Sequence, residues 1–182
     1  MLLGVGAIGI FAGFKSALAG WTTGQQFVGE QHNARVVLDW MTRRLRMAGN
    51  EYPGARFAYA NTSEIVFYGN TDADPAFECF RFHLGTDAVT GTPVVKVNTT
   101  EAACAGGDGE SLTAGAEAKN FSVTGLTLRY FDGGAGAGTQ LTALPLNSLD
   151  RAKIRRIEVE IRVAGVQPGT SVTMMTQVDI RR

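Results

Sequence analysis

The sequence predicts an α+β fold in which a long N-terminal helix packs on an antiparallel β-sheet. Three observations carry this expectation. Apolar residues recur at three- and four-residue steps from Phe27 to Ala48, the period switches to two after Pro53, and no proline precedes Pro53. The 182 residues, 45% of them hydrophobic, suit one domain with a sizeable core. Seventeen basic and seventeen acidic side chains cancel, so no overall field favours nucleic acid, an anionic membrane or acidic substrates. The 23 glycines, many beside Ala, Thr or Ser, imply many turns and confine the helix to one end.

The chain opens with fourteen uncharged residues, "MLLGVGAIGIFAGF", before Lys15. At about 1.5 Å per residue they span roughly 21 Å, short of the ~30 Å hydrocarbon core of a bilayer. One reading is a membrane segment that lacks its beginning. The other is a secretory signal with Ala17 and Ala19 before a cut at Gly20, although no basic n-region precedes it. "GVGAIG", Gly4 to Gly9, fits a dinucleotide fingerprint in letters only, because three residues before it cannot supply the strand of a βαβ unit. Gly9/Gly13 and Gly20/Gly24 have the four-residue spacing that lets helices approach closely in lipid. A glycine-rich apolar stretch with no fixed neighbour is the plainer alternative.

From Gln25 the pattern is helical. Phe27, Ala34, Leu38, Met41, Leu45 and Ala48 form one apolar side, broken only by Gln31, which is expected to lie on the sheet. Opposite stand Arg35, Asp39 and Arg43, four apart and alternating in sign, while Val36, Trp40 and Met47 leave a second apolar strip for a second neighbour. One helix from the N-terminus to about Met47 would be roughly 70 Å long. Arg43, Arg44 and Arg46 sit where the helix dipole favours cations, and Gly49 or Asn50 can take the left-handed conformation that ends a helix. The same arginines would serve a nucleic-acid patch, but without interleaved aromatics or a basic excess elsewhere that reading is not favoured.

Strands follow. "EIVFYG" (Glu64 to Gly69) and "FECFRFHL" (Phe77 to Leu84) read as a hairpin joined by "NTDADPA"; "VVKV" (Val94 to Val97) and "FSVTGLTLRYF" (Phe121 to Phe131) are further candidates. Ile157, Val159, Ile161 and Val163 alternate with polar residues, as do Val172, Met174, Val178 and Ile180, which predicts a C-terminal hairpin. The basic cluster "RAKIRR", Arg151 to Arg156, reads as a solvated strand edge that discourages edge pairing, or as a meeting point for an acidic partner. The expected organisation is 1–24 as membrane or filament-core helix, 25–50 as its amphipathic half and 51–182 as a β-rich head.

Cys79 and Cys104 are the only cysteines. Outside the cytosol, a disulfide between them ties a long loop to the sheet and stabilises by about 3 kcal/mol; a zinc site would need further ligands, and His32 and His83 lie in different elements. Asn70, Asp72, Asp74 and Glu78 alternate as oxygen ligands of a calcium loop would. However, Pro75 stands where an EF-hand needs glycine and Arg81 where it needs glutamate, so an acidic turn is the preferred reading. No nucleophile elbow, zincin motif or phosphate-binding loop is present, and no cofactor or small-molecule substrate is expected.

Taken in order, "ARVVLDWMTRRLRMAGN", "SEIVFYGNTDAD", "VTGLTLRYFD", "IRRIEVEIRV" and "TMMTQVDIRR" resemble the minor type IV pilins and type II secretion pseudopilins over nearly the whole chain. The resemblance implies a pilin-like fold and a non-enzymatic structural subunit that helps to prime or cap assembly. It also implies an N-terminal helix held in the inner membrane and later among like helices of a filament, with the head outside at the cell surface. The leader of that family, its cleavage glycine and the following "FTLIE"-type run are missing from these residues, and a chain that begins further upstream is the expectation. Leader processing and N-terminal methylation belong to those residues. A secreted or surface-anchored binding domain without catalytic activity, its mature form beginning at Gly20, is the alternative.

Overall fold

The computed structural model describes residues 2–50, 52–70, 77–88, 91–100, 110–111, 123–133, 138–164 and 170–180, the side chains of 2–12, 26, 27, 30, 100, 110 and 111 excepted. Its first element is a 45-residue helix, α1 (Leu2–Arg46). Two antiparallel sheets follow where the sequence suggested one. The first contains, in spatial order, β1 (Phe57–Ala60), β2 (Glu64–Gly69), β3 (Glu78–Thr86), β4 (Pro93–Thr100) and β5 (Glu110–Ser111). The second is built from β6 (Val123–Phe131), β7 (Gln140–Leu141), β8 (Arg156–Ala164) and β9 (Ser171–Asp179), ordered β7-β6-β8-β9. A short helix, α2 (Ser148–Lys153), precedes β8.

The expected hairpins form in the register their alternation demands. Glu64 pairs with His83 and Tyr68 with Cys79 across β2 and β3, while Ile157 faces Val178 and Ile161 faces Met174 across β8 and β9. Ile157, Val159, Ile161 and Val163 are fully buried, as a period of two with one face on a core requires. "RAKIRR" guards no edge: Arg151 to Lys153 belong to α2, and Arg156 opens β8, which is hydrogen-bonded on both sides.

The lower part of α1 joins the layers. Ala34, Leu38, Met41, Leu45 and Ala48 are buried as expected, and Val37 joins them. Phe27 lies outside the described side chains. The helix runs against β8 and β9 of the second sheet. Trp40, from the second apolar strip, meets Phe82 of β3 edge to face at 5.7 Å, and Phe82 packs on Phe67, which stacks on Phe80. The two neighbours of the amphipathic half are thus the two sheets of its own head. One apolar core unites helix and both sheets.

The sheets are also stitched through the turn between β1 and β2. The Leu128 N–H donates to Thr62 O at 2.6 Å, and the buried Tyr130 hydroxyl donates to Asn61 O at 2.8 Å. At the end of α1 the last turn tightens, with Met47 N–H to Arg44 O and Ala48 N–H to Leu45 O. Gly49 then turns at φ 77° and donates to Tyr68 O. Of the three terminal arginines, Arg43 pairs with Asp39 at 2.6 Å and Arg44 lies over the rings of Trp40 and Phe80, so their roles are internal to the head.

Candidate functional site

Above Asn33 the helix leaves its own protein. Every described side chain from Gly13 to Gly29 is exposed, and a methyl group built on Gly13, Gly20, Gly24 or Gly29 meets nothing within 4 Å. Yet this part is apolar: Lys15 is the one charged residue before Glu30. Phe14 is 63% exposed, Leu18 49%, Trp21 68% and Val28 65%.

Those four residues are spaced by four, three and seven, which at 3.6 residues per turn places them within an arc of about 80°. Ala34, Leu38, Met41 and Leu45 lie on the opposite side of the same helix, about 180° round. The ridge of large side chains therefore points away from the side that docks on the sheets. Gly13, Gly20 and Gly24 occupy a third direction, about 100° from the ridge, and form a shallow furrow. Gly9 shares their spacing, but its surroundings lie outside the described residues.

Two hydroxyls on this half are turned back onto the helix. The Thr22 and Thr23 hydroxyls both donate back to Ala19 O, at 3.0 and 2.8 Å, which removes two hydroxyls from competition for outside partners. A glycine inside a helix costs about 1 kcal/mol relative to alanine, and a helix without tertiary contacts is marginal in water. A glycine-rich helix showing an apolar ridge, interrupted within its arc only by Gln25, is stabilised when that ridge is covered, by lipid or by another protein surface. Among the described residues no helix is long and apolar enough to cross a membrane.

The head carries its charges in local pairs. The Arg129 guanidinium donates to Glu160 at 2.7 Å and reaches Glu158 at 3.4 Å. The hydrogen bond to Glu160 raises Arg129 above its usual value, and the same bond holds the Glu160 carboxyl below the usual carboxylate range. Burial pushes the Tyr130 hydroxyl well up. Lys153 holds Asp150 below its ordinary value through a 2.8 Å bond.

The other expected sites are scattered. Asn70 and Glu78 are buried at the facing ends of β2 and β3, while Asp72 and Asp74 lie outside the described residues. Among the described residues no group of three or more His, Cys, Asp and Glu could hold a metal ion. Cys79, buried on β3, is disulfide-bonded; Cys104, the only other cysteine in the sequence, lies outside the described residues. The ridge is legible in the sequence as the spacing of Phe14, Leu18, Trp21 and Val28.

No family model, curated protein or solved structure matches the chain.

Proposed function

We propose that the chain is a structural subunit of a helical filament, a minor type IV pilin or type II secretion pseudopilin that helps to prime or cap assembly. The observation that carries this reading is the uncovered ridge of Phe14, Leu18, Trp21 and Val28, set on the helix side opposite the one docked on the head. A ridge and a glycine furrow in different directions on one helix favour heterologous contact, ridge of one copy into furrow of the next. Such contacts repeat into an open helical array when the rotation from copy to copy does not close into a ring. Before assembly, the same surface suits the inner membrane, with the head on the extracytoplasmic side. The sequence resemblance to pilin-like subunits supports the same assignment, and Cys79 in a disulfide suits an oxidising compartment.

The test places a photo-crosslinking amino acid at Trp21 of the full-length chain in bacterial membranes that build such a filament. Crosslinks to other pilin-like helices are expected, and Leu18→Asp should abolish them while the head keeps its stability. A chain that is monodisperse and monomeric without detergent, with no crosslink, overturns the reading. A secreted mature form beginning at Gly20 would give the free binding domain in its place.

A further inference from the structure

A small cavity of about 190 Å³ lies where the approach to β1 meets the corner between α2 and β8. Arg56, Arg151 and Arg155 line it, with Phe57 and Ile154, both almost fully buried, as its apolar part. Among the described residues no carboxylate lines it.

Two of these arginines differ from the others in how they are held. Arg43, Arg81, Arg129 and Arg162 each meet a carboxylate. Arg151 instead donates from Nε to Phe57 O at 3.0 Å and from Nη1 to Leu146 O at 2.7 Å. Arg155 donates from Nη1 to Ala152 O at 3.3 Å and to Ile154 O at 3.1 Å. Backbone carbonyls fix both guanidinium groups without neutralising them. The acid nearest in sequence, Asp150, is already taken by Lys153 and Asn147, each at 2.8 Å.

A guanidinium has five N–H donors, and each of these two spends two. Three remain on each, set in a rigid fork that matches an oxyanion. The apolar wall lowers the local dielectric and strengthens attraction to an anion. Two guanidinium groups with donors to spare around one pocket favour a tetrahedral dianion over a planar monoanion, because more oxygens can be met and more charge balanced. We infer that this pocket binds a phosphate-class oxyanion, with Arg151 and Arg155 as its principal donors and Arg56 at its rim. This site is separate from the α1 ridge and independent of the filament reading.

The test uses the ¹⁵N-labelled full-length chain in a neutral detergent, titrated with inorganic phosphate, glycerol 3-phosphate, acetate and sodium chloride at matched ionic strength. Saturable amide shifts at Gly54, Ala55 and Ala152 are expected with phosphate, smaller ones with acetate. Saturation by glycerol 3-phosphate alone identifies an esterified phosphoryl group as the ligand. Arg155→Gln, whose lost bonds lie within its own turn, should weaken binding at least tenfold, and Arg155→Lys should restore part of it. Unsaturable shifts, shifts equal to those from chloride, or unchanged affinity in a folded Arg155→Gln protein overturn the proposal. Should Arg155→Gln fail to fold, the wild-type titration decides on its own.

Discussion

Tyr130 shows how much one atom can decide. Its ring is fully buried in β6 and its hydroxyl donates to Asn61 O at 2.8 Å, which ties the second sheet to the β1–β2 turn of the first. Tyr130→Phe keeps the ring and strands that carbonyl, so it should cost about 1–2 kcal/mol in chemical denaturation. Burial raises the folded-state value of the hydroxyl well above its unfolded value near 10, so its contribution is whole below about pH 10 and lost as pH rises through the folded value. The gap between wild type and Tyr130→Phe should therefore shrink in alkali; a gap constant from pH 7 to 11 would refute the linkage. Alternation placed Tyr130 on a strand but could not say which buried hydroxyl finds a carbonyl, because the partner lies 69 residues away. The fate of "RAKIRR" was hidden for the same reason. In the sequence Arg151 reads as a solvated charge, and only the fold brings the carbonyl of Phe57, 94 residues away, within its reach.

Among the elements, those with long periodic signals were readable and the short ones were not. The helix face from Ala34 to Ala48 and the β8–β9 hairpin follow directly from periods of 3.6 and two. β1, with four residues, and β5 and β7, with two each, are too short to express a period, and tertiary pairing alone makes them strands. α2 is six residues long, yet Asn147 caps it by accepting from the Asp150 N–H, a capping signature carried by "NSLD". The division into two sheets was invisible because each strand has the same alternation whichever sheet it joins. Where α1 docks, Met41 is fully buried between layers. Met41→Ala should destabilise the head by about 2–5 kcal/mol through lost burial and a residual cavity. Arg43→Ala, at a largely exposed ion pair, should change it by about 1 kcal/mol or less. Equal effects from the two in urea unfolding would show that the helix does not dock as described.

The whole molecule divides along α1 at the point where burial begins, near Asn33. Below it the helix belongs to the head; above it every described side chain from Gly13 to Gly29 is exposed. That abrupt change matters to enzymes that cut polypeptides, which reach a scissile bond in a helix only when the helix opens locally. Lys15 stands on the unsupported side, so trypsin should sever the isolated chain there within minutes. Arg35 and Arg43 are as exposed as Lys15, but unwinding the backbone around them would tear Val37, Leu38 and Met41 from the core. The surviving fragment should begin at Ser16 and resist further attack in α1, and mass spectrometry of the digest reads the boundary directly. Inside an assembled array, with neighbours shielding the same bond, that first cut should disappear.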